Sequence, residues 1–259
     1  MGVNKITVDG VTKINLLNTD IETSADIPLG KRGYLKTGEL VTGTGEIGMA
    51  NPLSGKILAA TGDSICYGTG YTGGYAKIIG DDNSMTVQNI AVGGATVAYI
   101  GAEFTICQSI SDLRADADYV LLEGGGNDAQ YNNTGVTLGS ITSGYTDTLN
   151  VNTFAGAFET MLKNAIARFP NKKIGYLFIH KCVDNFDSRV SNSYYGIAKA
   201  ACEKWGIPYL DLNTMCPAIG HISALASTYT VNGGDGVHLN EQGYRLFYVP
   251  KITAWMKTL

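Results

Sequence analysis

The chain has 259 residues, a formal net charge of -4 at pH 7, and a composition that is 44% hydrophobic and 16% charged. That is room for one α/β domain with a sizeable core plus an appendage. The acidic balance and the lack of any Lys/Arg-rich run exclude a nucleic-acid footprint, and no apolar run approaches the length of a membrane span.

In chain order, the opening Met1-Gly2-Val3-Asn4-Lys5-Ile6-Thr7 lacks the apolar core of a signal peptide, so synthesis in the cytoplasm is expected. Residues 1–52 read as a β-rich arm. Ile6 to Ile14 alternates about Asp9-Gly10, a hairpin signal because glycine tolerates the positive φ of a primed turn. Gly33 to Thr44 repeats the style. Strands this short bury no core alone. The arm is therefore expected to pack on the rest of the chain, on a second copy in a homo-oligomer, or on a larger assembly. Leu35 to Thr44 resembles short segments of tail-associated proteins of bacteriophages and prophages, and this resemblance implies a phage-type assembly reached through residues 1–50.

Residues 53–259 form a second domain in which strand-like and helix-like segments alternate, which predicts a parallel sheet with helices on both faces. The strands are Lys56 to Thr61, Met85 to Ala91, Asp118 to Glu123, Lys173 to Ile179 and Ile207 to Leu212. Phe154, Phe158, Met161, Leu162, Ala165 and Phe169 fall on one helix face ahead of Pro170. Tyr194, Ile197, Ala198, Ala201, Cys202 and Trp205 do the same before Gly206, and Ile252, Trp255, Met256 and Leu259 mark a last helix after Pro250. The Gly/Thr/Asn/Ser-rich stretch from Ala129 to Asn152 is a long polar loop after a strand end, expected beside the functional site.

Two G-x-G-x-x-G strings, Gly43 to Gly48 and Gly68 to Gly73, lack the strand context and the ribose-binding acid of a dinucleotide site. Gly55-Lys56 is followed by Ile57 where a phosphate loop needs Ser or Thr, and no G-x-S-x-G elbow exists. The five cysteines are scattered singly, which suits buried thiols better than disulfides or a zinc site. No two of the three histidines have metal-ligand spacing, so neither metal nor cofactor is expected.

The first strand ends on Gly62-Asp63-Ser64, which sets a serine at the carboxyl edge of the sheet, where ligands bind in open α/β folds. Ser64 is the candidate nucleophile; a plain helix cap by Asp63 and Ser64 is the bland alternative, and Cys66 is a weaker rival. A serine needs a base. His238 has Asp235 three residues before it on one Gly-rich turn, placed to accept from Nδ1 while Nε2 stays free. His180 ends the fourth strand at the same edge and is a pocket-lining candidate, and His221 reads as a surface or capping residue. Developing negative charge needs donors already in place. The turn from Asn89 to Thr96 offers a bare backbone N–H at its glycines, and Gly124-Gly125-Gly126-Asn127-Asp128 aims a side-chain amide.

These four blocks, Gly62-Asp63-Ser64-Ile65, Gly94 within Asn89 to Thr96, Gly125-Gly126-Asn127-Asp128, and Asp235-Gly236-Val237-His238, resemble those of the SGNH hydrolases, also called GDSL-type lipases and esterases. The resemblance spans residues 56–259. It implies a flavodoxin-like three-layer α/β/α sandwich with a five-stranded parallel sheet, and an ester hydrolase with a Ser64, His238, Asp235 triad. It also implies an oxyanion hole made by the N–H groups of Ser64 and Gly94 and the amide of Asn127. Tyr67, Tyr71, Tyr75, Tyr99 and Tyr131 fall in segments expected to flank the mouth, and hydroxylated rings suit sugar faces. That points to an O-acetyl carbohydrate ester as substrate, with Asp63, Tyr131 and His180 as further substrate-contact candidates. A short-chain lipase or thioesterase, and a tail-associated glycan-binding module with no turnover, are the alternatives.

Overall fold

A computed structural model describes residues 5–8, 11–15, 32–35, 39–42, 51–130, 136–182 and 193–259. By its contacts the chain divides into two units, Met1–Pro52 and Leu53–Leu259.

In the first unit, β1 (Lys5–Val8) pairs antiparallel with β2 (Val11–Asn15), the hairpin expected about Asp9-Gly10. The turn residues themselves lie outside the described residues. β3 (Arg32–Tyr34) pairs antiparallel with β4 (Leu40–Thr42).

The second unit is built on five parallel strands: β5 (Ile57–Thr61), β6 (Thr86–Asn89), β7 (Tyr119–Glu123), β8 (Lys173–Phe178) and β9 (Tyr209–Asp211). Their order is β6-β5-β7-β8-β9, the flavodoxin-like 2-1-3-4-5 arrangement. Both sheet faces are covered, so the central strands are apolar throughout rather than alternating. Leu58, Ala60, Tyr119, Leu121 and Leu177 point into one half of the core, and Ala59, Val120, Leu122, Ile174, Tyr176 and Phe178 into the other.

The first half is closed by α2 (Gly74–Asn83), through Tyr75, Ile78 and Ile79, and by the C-terminal segment. There a π-helical turn, Tyr244–Tyr248, leads into the last helix, Val249–Met256. The second half is closed by α3 (Ile106–Ser109), α5 (Phe154–Arg168) and α6 (Ser193–Trp205). Two further helices lie at the carboxyl edge, α1 (Ser64–Tyr67) after β5 and α4 (Gly126–Gln130) after β7. Among the described residues no helix is long and apolar enough to cross a membrane.

Three expectations are corrected. β6 and β9 are shorter than their apolar runs. The Asn89 side chain accepts from the N–H of Ala91 and turns the chain away, while Pro208 lacks an N–H and Asp211 caps the helix that follows. Leu259 lies beyond the last helix, which ends at Met256. The polar loop does not all gather at the site. Its Gly144 carbonyl and Thr142 hydroxyl accept from Lys204, and Tyr145 packs edge-on against Trp205. Lys204 and Trp205 end α6, which runs back from the carboxyl edge, so this part of the loop lies at the opposite end of the sheet.

Candidate active site

The chain passes from β5 into α1 through Gly62-Asp63, with Asp63 as the helix N-cap: its Oδ1 accepts from the N–H of Ile65 at 2.9 Å. Ser64 is thereby the first helical residue, its hydroxyl at the carboxyl edge. From the far end of the chain, Asn240 caps the short turn Glu241–Gly243 and, with the bridge between Thr230 and Leu239, folds the Gly-rich segment back over the same edge. On it, Asp235 Oδ1 accepts the backbone N–H groups of Val237 and His238, each at 2.9 Å. Oδ2 is left 2.7 Å from His238 Nδ1. His238 Nε2 then lies 2.9 Å from Ser64 Oγ. With Nδ1–H donating to the carboxylate, Nε2 is free to take the serine proton.

Three candidate donors lie on the turns beside this line. Gly94 has φ +80°, a left-handed conformation that favours glycine, and its exposed side faces open space. Its N–H has no partner among the described residues, and neither has the N–H of Ser64. Asn127 Nδ2 donates one proton to the carbonyl of Ala95 at 2.9 Å, which leaves the second. Asp128, fully buried, accepts from Val97 N–H at 2.8 Å and Ala98 N–H at 2.9 Å and so ties the Gly94 loop to the Asn127 turn. Burial raises its pKa to about 7, against the pull of those two amides. Below the turn, the Tyr176 hydroxyl donates to the carbonyl of Gly124 at 2.6 Å.

The remaining candidates divide. Asp63 and His180 are both buried, beneath the edge rather than at its mouth. The Tyr248 hydroxyl accepts from the backbone N–H of His180 at 3.1 Å and lies 2.8 Å from its Nδ1. Burial lowers the His180 pKa to about 4. Tyr75 is core, Tyr71 is half-buried, and Tyr67 and Tyr99 are exposed; Tyr131 lies outside the described residues. Cys66 is buried, and burial pushes its thiol well up, away from the reactive thiolate. Among the described residues no group of three or more His, Cys, Asp and Glu is arranged to hold a metal ion.

Sequence reasoning missed Asp128 and Glu123. Each carried a signal: an acid directly after the amide of a glycine turn, and one acid closing an otherwise apolar strand.

The arrangement can run acyl transfer. Ser64 Oγ gives its proton to His238 Nε2 and bonds to an ester carbonyl carbon. An oxyanion formed there would have the N–H groups of Ser64, Gly94 and Asn127 as its candidate donors, and the same proton would then go to the departing alcohol oxygen. Water, deprotonated by His238, repeats the sequence and releases the acid.

A model of the GDSL-like lipase/acylhydrolase family matches residues 60–246. Solved structures share the fold at low identity. A protein from Lactobacillus plantarum is similar at 23% identity and a TM-score of 0.67, over 79% of this chain and 98% of that one. A lipase/acylhydrolase from Enterococcus faecalis is similar at 18% identity and a TM-score of 0.52, over 78% and 96%. An active-site mutant of a family two carbohydrate esterase from Clostridium thermocellum is similar at 15% identity and a TM-score of 0.53, over 85% and 68%. No curated protein matches the sequence significantly.

Proposed function

The chain belongs to the GDSL-like lipase/acylhydrolase family and is a carboxylic ester hydrolase, and from that premise we propose that it removes small acyl groups, O-acetyl groups on a carbohydrate foremost, through an acyl-enzyme on Ser64. His238 is the general base and acid, Asp235 orients it, and Ser64, Gly94 and Asn127 bind the oxyanion. The observation that carries the catalytic assignment is the unbroken line from Asp235 Oδ2 through His238 to Ser64 Oγ, at 2.7 and 2.9 Å.

The substrate class rests on the groove beside the oxyanion donors. It runs from Val92, Gly93, Gly94 and Ala95 to Ala102, Glu103 and Phe104, with a volume of about 530 Å³. An ideal Cβ on Gly93 would lie 3.8 Å from the Cβ of Ser64, so the groove adjoins the nucleophile. A face of Val92 and Phe104 beside a carboxylate suits a sugar ring, apolar on its faces and hydroxylated at its rim, better than a long acyl chain. Elsewhere this fold carries a carbohydrate esterase, in Clostridium thermocellum.

The test compares acetate release from acetylated xylo-oligosaccharides with a series of p-nitrophenyl esters from acetate to octanoate. Acetate is expected from the glycan, with kcat/KM on the p-nitrophenyl esters falling as the chain lengthens. Rates rising towards octanoate, with no acetate from the glycan, would identify a lipase instead.

A further inference from the structure

Glu123 closes β7 and is only 1% exposed, beneath the turn that carries Ser64. Its Oε2 accepts from the backbone N–H of Cys66 at 3.1 Å and of Asp63 at 3.3 Å. The amides around a helix start are orphan donors, and here their partners can be named one by one. Glu123 takes that of Asp63, the Asp63 side chain takes that of Ile65, Glu123 again takes that of Cys66, and the carbonyl of Asp63 takes that of Tyr67. Of the five amides from Asp63 to Tyr67, the N–H of Ser64 is the one left over among the described residues. Gly62 fits this packing, since a Cβ there would come within 2.6 Å of Glu123 Oε2.

We propose that Glu123 is a positioning residue: by accepting the N–H groups on either side of Ser64, it fixes the turn and leaves the N–H of Ser64 as the one donor aimed at substrate. This rests on the reading of Ser64 as nucleophile. What the turn requires is an acceptor oxygen at that point, not a negative charge. Burial and the nearby charge of Asp63 push the Glu123 pKa well up, which agrees with a neutral acceptor. Glu123→Gln keeps an acceptor of the same reach; Glu123→Asp keeps the acid and withdraws it by a methylene; Glu123→Ala removes it.

The experiment measures kcat and KM on p-nitrophenyl acetate, the rate of covalent labelling by an alkyl phosphonate, and Tm, for the wild type and the three variants. A misplaced nucleophile costs on the order of 10²-fold, so Glu123→Ala and Glu123→Asp are expected to lose about 10- to 100-fold in kcat and in labelling rate, with KM little changed. Glu123→Gln is expected to stay close to wild type. If Glu123→Ala does not fold, the contrast of Gln with Asp carries the same test. Equal losses in Gln and Asp, or a lowered Tm with unchanged kcat in Ala, would overturn the proposal while leaving Ser64 as the nucleophile. A wild type that the phosphonate does not label would remove that nucleophile, and the proposal with it.

Discussion

Asn127 Nδ2 donates to the carbonyl oxygen of Ala95 at 2.9 Å, so the amide is held in orientation by the neighbouring loop and keeps a second proton to donate. A donor held this way needs no reorganisation when the carbonyl oxygen gains charge. Asn127→Ala is expected to lower kcat on p-nitrophenyl acetate by about 10²–10³, with KM nearly unchanged. Steady-state kinetics at saturating ester checks it, and turnover near wild type would remove Asn127 from the oxyanion hole.

Asp128 acts one layer down. Asp128→Ala strands the N–H groups of Val97 and Ala98, both buried, at about 1–3 kcal/mol each. Because that loop also carries Gly94, kcat is expected to fall at temperatures where the variant is still folded. Denaturant unfolding and kinetics at 15 °C separate the two effects.

Far from the site, Glu159 is fully enclosed and bonded to Lys204, to the Trp205 Nε1–H at 3.0 Å and to the Thr142 N–H at 2.8 Å. Lys204→Met leaves that carboxylate buried without its cation, which is expected to destabilise the fold by about 3–5 kcal/mol. Adding Glu159→Gln should recover part of the loss. A single variant as stable as wild type in urea would contradict the pairing.

His180 makes stability depend on pH. Its imidazole ordinarily titrates near 6.5, but buried in this fold it takes a proton only near 4. Between those values the unfolded chain binds more protons, so falling pH favours unfolding. Stability is expected to decline from pH 6.5 to pH 4, by up to about 1.4 kcal/mol per pH unit from this group, and the decline should flatten in His180→Asn. Urea midpoints for the two proteins across that range are the check.

Much of this was legible in the sequence because it is local. Asp235 and His238 meet across a single turn, and Ser64 follows its strand directly. β5, β7 and β8 announce themselves because strands buried on both faces are apolar along their length. What the sequence hid depends on distant partners. Glu123 and Asp128 act on amides at Cys66 and at Val97, 57 and 31 positions away. His180 stands at the expected edge, yet Tyr248, delivered by the π-helical turn, covers it. Tyr75 lies in a segment rich in glycine and tyrosine that read as a rim, but helix α2 turns it inward against Tyr244 and Tyr248. The Ala129 to Asn152 loop is polar as expected; its anchor on Lys204 and Trp205, contributed by another helix, draws part of it away from the site.

The most direct test of the account is labelling by an alkyl phosphonate followed by intact and peptide mass spectrometry, run beside hydrolysis of p-nitrophenyl acetate, for the wild type and Ser64→Ala. One adduct is expected, on Ser64, with turnover and adduct both lost in the variant. Turnover that survives Ser64→Ala, or an adduct on another residue, would contradict it.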